Sequence, residues 1–144
     1  MTTAPTLIRL LPGGIPLREA SPSEKDFFML RPDVSGMATD DGAVVLNPYT
    51  KLNEDQLDAV ALNEAARVIM SSNQELQPKF ELTPEQRSAF KRYGPPSAIR
   101  ATIAARLLSG DPTALTPTSD QIRFVARLAQ AMGVEYSTKP IRGC

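Results

Sequence analysis

The sequence predicts a mainly α-helical domain: a small bundle of about four helices, with a short β-hairpin and extended N- and C-terminal arms. Three observations lead there. One long run, NEDQLDAVALNEAARVIMSS from Asn53 to Ser72, carries apolar residues at three- and four-residue spacing. Three shorter runs with helix start or stop signals follow it. Thirteen prolines, spread without a period, read as punctuation between short elements rather than as a repeat.

Residues 1–30 read as an extended N-terminal arm. Thr6 to Leu11 can form a short strand and Pro12-Gly13-Gly14 turns it. Pro16 and Pro22 then speak against long regular structure. Phe27 to Leu30 and Ala43 to Leu46 read as the two strands of the hairpin, joined by the Gly-, Asp- and Ser-rich stretch Pro32 to Gly42. Asp40-Asp41-Gly42 is a turn signal, and its two acids fall short of the regular oxygen series of a calcium loop. Asn47-Pro48 ends the second strand.

The helical domain is expected over residues 31–133. Asn53 can cap the long helix, because its side-chain oxygen accepts from a first-turn amide. Glu54, Asp55 and Asp58 suit the positive end of the helix dipole. Leu57, Val60, Ala61, Ala65, Val68 and Ile69 share one face, Leu62 widens it, and alanines at 61, 65 and 66 permit close approach of another helix. Glu64 interrupts this face. A purposeful buried carboxylate would be a proton relay or a ligand, but an acid paired with Arg67 or with a cation from another helix is the expected reading.

Thr83-Pro84-Glu85-Gln86 starts the second helix as a capping box, and Gly94 with two prolines stops it. Ser97 is read as the cap of the third, where Ile99, Ile103 and Leu107 repeat every four residues until Gly110. Thr118 or Ser119 opens the fourth, with Ile122, Val125, Leu128, Ala129 and Met132 on one face and Gly133 closing it. Residues 134–144 read as a C-terminal tail. Leu82-Thr83-Pro84 and Leu115-Thr116-Pro117 are two uses of one cap chemistry, too few for a repeat.

A chain of 144 residues is expected to form one domain. The formal charge is zero, yet residues 1–82 hold seven Lys and Arg against twelve Asp and Glu, and residues 83–144 hold nine against four. The default expectation is that the two halves attract each other; a nucleic-acid face or a head-to-tail contact between copies is the sharper reading. The single cysteine, Cys144, excludes a disulfide within the chain, and it is not a prenylation signal. No run approaches the roughly twenty apolar residues of a membrane span. MTTAPTLIRLLPGG lacks the pattern of a secretory signal, so a reducing cytoplasm is the expected setting.

The absence of histidine removes the histidine-dependent nucleophile systems and the common histidine metal sites. The glycines form no phosphate-binding motif. Asp40, Asp41, Glu54, Asp58 and Glu64 remain available as paired carboxylates, but nothing places two of them in a cleft. No catalytic, cofactor-binding or metal-ligating residue is assigned, and the protein is expected not to be an enzyme. Arg87, Lys91, Arg92, Arg100, Arg106, Arg123 and Arg127 lie on the C-terminal helices and keep a DNA-binding regulator as the alternative. Arg100 and Arg106 are expected instead to meet the acids of the long helix.

Three stretches carry a family resemblance: Arg31 to Met70, Phe80 to Gln86, and Ala101 to Leu128. Together they resemble a group of small proteins of tailed bacteriophages. The resemblance implies a virion component, of the tail or head-tail accessory kind, assembled in the host cytoplasm. It implies partners among other virion proteins and among further copies of itself. It carries no catalytic motif, transfers no functional residue, and does not extend to the N-terminal arm.

Overall fold

The computed structural model describes residues 6–110 and 116–136. The mainly α class holds, with five α-helices among the described residues and a small four-stranded sheet. Strands β1 (Leu7–Leu11) and β2 (Ile15–Arg18) form an antiparallel hairpin around the turn Pro12–Gly14. Helix α1 (Pro22–Leu30) follows, then β3 (Gly36–Ala38) and β4 (Val44–Leu46). The sheet order is β1-β2-β4-β3, and the central pair β2–β4 is parallel. The remaining helices are α2 (Glu54–Ser72), α3 (Pro84–Ala89), α4 (Pro96–Ser109) and α5 (Ser119–Met132).

Two expectations for the first thirty residues are corrected. The segment is not an extended arm over its described part, because β2 lends its edge to β4 and so joins the central sheet. Phe27 to Leu30 is the last turn of α1, not a strand. The reason lies in Ser21-Pro22-Ser23-Glu24. The Ser21 hydroxyl accepts from the Glu24 N–H, and the Glu24 carboxylate accepts from the Ser21 N–H at 2.8 Å. Pro22 then sits at the first helical position, where its missing donor costs nothing. The true hairpin partner of β4 is β3, with its turn at Thr39–Gly42.

The sheet separates two layers of unequal depth. Val44 belongs to the main core, together with Leu11, Ile15 and Leu17, while Val45 and Ala43 are buried outside it. Alternate strand residues face opposite ways. The main core therefore lies on the α2 side, and Phe28 of α1, fully buried, covers the other side. Helix α2 packs against the sheet with one face and against α4 with another, as its broad apolar face and its alanines predict. Ala61, Ala65 and Ala66 have no exposed surface.

The turn of the first hairpin is wedged between α2 and α5. A Cβ on Gly13 would come within 3.1 Å of Ile69 Cδ1, and the residue has a positive φ of 80°. Glycine is required there on both counts. Helix α4 starts two residues earlier than expected: Pro95, not Ser97, is its N-cap. Helix α5 is capped by Thr118. Val134 and Tyr136 pack on the core, so the expected tail begins later than residue 134; residues 137–144 lie outside those described.

The N-termini of α3 and α5 are locked together. Thr83 and Gln86 form one capping box, and Thr118 and Gln121 form another. The two glutamines, both fully buried, face each other: Gln86 Nε2 donates to Gln121 Oε1 at 2.8 Å, and Gln121 Nε2 donates to Gln86 Oε1 at 2.7 Å. Gln121 Nε2 also donates to the Glu81 carbonyl at 3.1 Å.

Candidate functional site

Two surfaces stand out. The first is an apolar layer on the α1 side of the sheet. Of the seven exposed large hydrophobics, six fall between Leu7 and Leu30: Leu7, Ile8, Leu10, Phe27, Met29 and Leu30. Leu30 is 81% exposed and Leu10 64%. Leu7 stands opposite Arg18 and Leu10 opposite Pro16, and paired strand residues share a face. Arg18 reaches Glu24 of α1, so this is the side on which α1 lies. Arg9 faces the other way, to Asp58 of α2 at 2.5 Å. With Phe28 turned inward, helical spacing turns Leu30 outward and sets Phe27 and Met29 on the flanks. A single-sided apolar group of this kind is uncommon on an isolated soluble domain and marks contact surfaces.

Helix α1 is held in this layer by a bidentate ion pair. Arg18 donates to both Glu24 oxygens, at 2.7 and 2.8 Å, and both side chains are largely buried. The guanidinium holds the Glu24 carboxyl down to about 2 against its ordinary 4.5, with burial working in the opposite direction. Asp41 reaches the same guanidinium at 3.4 Å and accepts from the Thr39 hydroxyl. Asp41 is thereby committed within the sheet and hairpin turn, and its carboxyl is held below its usual range, first by Thr39.

The second surface is a groove of about 650 Å3 on the far side of α2. Gln56, Val60, Asn63, Glu64 and Arg67 of α2 line it. Residues 34–36 and the α4 end, at Arg106, Ser109 and Gly110, flank them. Gly36 is packed against α2: a Cβ there would come within 2.9 Å of Val60 Cγ1. Arg67 is held by Asn63 Oδ1 at 3.2 Å and Thr102 Oγ1 at 3.1 Å.

Glu64 sits in this groove, half-buried, between Arg67 and the Ala38 main chain, both of which favour its charged form. Burial pushes its carboxyl up; the Arg67 charge and the Ala38 N–H only partly offset that. A carboxyl that binds its proton more tightly when folded loses stability as pH rises from 4.5 through its raised value. Glu64→Gln keeps the shape of the side chain and removes the buried charge. Its expected outcome is a higher urea midpoint at pH 7, with the gain fading to nothing as pH falls below 4.5. A lower midpoint at pH 7 would show that the Arg67 pairing outweighs the burial.

The basic residues of the C-terminal helices are largely engaged by the chain itself. Arg92 and Arg106 donate to the Tyr93 hydroxyl, at 3.0 and 2.5 Å, and both stack on its ring. Arg100 donates to the Phe80 carbonyl at 2.7 Å, Arg127 to the Glu75 carbonyl at 3.2 Å, and Arg123 to Asp120. Arg100 therefore meets a carbonyl rather than an acid of α2, and Asp58 of α2 takes Arg9. The ion pairs Arg9–Asp58, Arg18–Glu24, Arg18–Asp41 and Arg31–Asp33 lie within the acidic half, and Arg123–Asp120 lies within the basic half. No helix among the described residues is long and apolar enough to cross a membrane.

The apolar layer was within reach of sequence reasoning. Its signal was an apolar FFML run directly after a Ser-x-x-Glu helix start, too many large side chains for a nine-residue helix to bury. No family model, curated protein or solved structure matches the chain.

Proposed function

We propose that this protein is a non-enzymatic interaction component of a bacteriophage particle. It docks through the apolar layer of α1 and β1 onto other virion proteins or onto further copies of itself. The observation that carries the reading is the concentration of exposed large hydrophobics between Leu7 and Leu30. Burying such side chains is worth about 1.5–3 kcal/mol each, a sufficient driving force for assembly. The phage setting rests on the resemblance of the three stretches quoted above. The engaged arginines weigh against the DNA-binding alternative, since a phosphate contact would first have to break bonds that the fold already uses.

Mass spectrometry of purified particles tests the reading, asking whether the chain is present and at what copy number. The double variant Leu10→Asp/Leu30→Asp alters exposed positions only, so its stability is expected within about 0.5 kcal/mol of the parent. It is expected to fold and to be lost from particles. A chain absent from particles, or a variant incorporated at the parent level, overturns the proposal.

A further inference from the structure

The apolar layer of β1 and α1 owes its continuity to an irregular strand. The pairing of β1 with β2 slips between Leu7 and Arg9. A bulge sets two residues of one strand against one of its neighbour, so Leu7 and Ile8 both stand opposite Arg18. In a regular strand Leu7 would share a face with Arg9. With the slip, Leu7, Ile8 and Leu10 gather on the α1 side, while Arg9 turns to Asp58 of α2 and Leu11 to the core. Helix α1 covers the inner strands on that side. Glu24 bonds Arg18 of β2, and Val45 of β4, the neighbour of Arg18, is buried. The helix leaves β1 bare, since Leu7, Ile8 and Leu10 are each more than half exposed. The layer is therefore a step. An apolar ridge, α1, stands beside an apolar ledge, β1, and rises above it by a helix diameter of about 10 Å.

Size, charge and shape together indicate what covers this step. Its six large side chains run from 40% exposed at Phe27 to 81% at Leu30. Together they present on the order of 700 Å2, close to the 800 Å2 or so that each partner gives to a standard interface. That exceeds the largest apolar patch of most monomers. The charges around it come in both signs: Arg18 with Glu24 and Asp41, Arg31 with Asp33, and Lys25 next to Asp26. No block of one sign would face its own image across a symmetry axis. Ridge and ledge also sit side by side on one patch. A two-fold rotation sets the α1 of each copy on the β1 of the other, so that every contact is made twice. An unrelated partner would have to supply both shapes, whereas a second copy has both.

We infer that the apolar layer is the interface of a two-fold dimer of this chain, in which α1 of each copy lies on β1 of the other. The inference rests on the reading of that layer as a contact surface, and it narrows the occupant to a second copy.

The test is sedimentation equilibrium of the full chain over about 1 to 100 μM, a span within reach of interfaces of this size. The parent is expected to be a dimer over most of that range. Its urea midpoint is expected to rise with concentration, as coupled assembly requires. Leu10→Asp and Leu30→Lys, made singly, are each expected to weaken the dimer by about a hundredfold or more, because a two-fold interface buries each new charge twice. Mixing the two variants is expected to restore dimers. One contact of the mixed pair then joins the introduced carboxylate to the introduced ammonium, and the other is the parent's own. Restoration on mixing also shows that both variants are folded. The inference is overturned if the parent is monomeric at the highest concentration, if either variant dimerises like the parent, or if the mixture stays monomeric. Mass spectrometry of particles separates this outcome from that of the broader reading. A dimer absent from particles keeps the inference and removes the phage setting, and a monomer present in particles does the reverse.

Discussion

Gln121→Leu is expected to lower the stability of the chain by about 3–4 kcal/mol, the sum of a lost cap and of buried polar groups left without partners. Leucine has a similar size, so packing is not the cause. The substitution leaves Gln86 Nε2 without its acceptor and Gln86 Oε1 without one of its donors, and it strips the Glu81 carbonyl. It also removes the acceptor that serves the Thr118 N–H at 3.0 Å. For a domain of this size such a loss lowers the melting temperature by roughly 10 °C. Gln86→Leu is expected to behave alike, because it opens the Thr83 box and orphans Gln121 in turn. The double variant replaces both amides by apolar groups and leaves fewer orphans, so its loss is expected to fall short of the sum of the singles by at least about 1 kcal/mol. Urea denaturation of the four proteins checks this. Strictly additive losses would mean that the two amides act independently, as two ordinary caps.

How much of this was legible from residues depends on the range of the interaction. Helices α2, α3 and α5 could be read because their caps are local: Asn53, Thr83 and Thr118 each accept from an N–H three residues on. The likeness of Leu82-Thr83-Pro84 and Leu115-Thr116-Pro117 was visible too. That two boxes of one chemistry would dock glutamine to glutamine was not, since residues 86 and 121 meet only through the packing of α3, α4 and α5. At α1 a local signal was present and was outweighed. Pro22 taken alone argues against regular structure, whereas Pro22 directly after Ser21 and before Glu24 starts a helix. The parallel pairing of β2 with β4 brings together residues 17 and 44 across a crossover holding α1 and β3. No periodicity encodes such a pairing. The groove escaped for the same reason, as its walls come from β3 and α4 while only its floor is a pattern within α2.

Glu24→Gln is expected to cost on the order of 2–3 kcal/mol at pH 7, and to remove most of that cost by pH 2. Glutamine still completes the capping box with Ser21, so the variant isolates the ion pair with Arg18. The folded carboxyl titrates near 2 and its ordinary value is 4.5, a difference that corresponds to roughly 3 kcal/mol before allowance for partial exposure. The sign follows from proton counting. Between those values the unfolded chain binds the proton and the folded chain does not, so acid favours unfolding. The stabilisation is whole above 4.5 and disappears as pH falls toward 2. Denaturant unfolding of parent and variant at pH 7, 5, 3 and 2 is expected to give two curves that converge on the acid side. Asp33, also held low by its bonds to Arg31, gives both curves a shared downward slope that the comparison cancels, whereas Asp41 shares the Arg18 guanidinium with Glu24 and is read as part of the same network. The consequence reaches the proposed contact surface, because the same pair fixes α1 on the sheet. Loosening it frees the helix that carries Phe27, Met29 and Leu30 while the α2 core stays intact. Glu24→Gln is therefore expected to weaken particle incorporation more at pH 7 than its modest chemical change implies. Parallel pH curves would place the hold on α1 elsewhere, in the burial of Phe28.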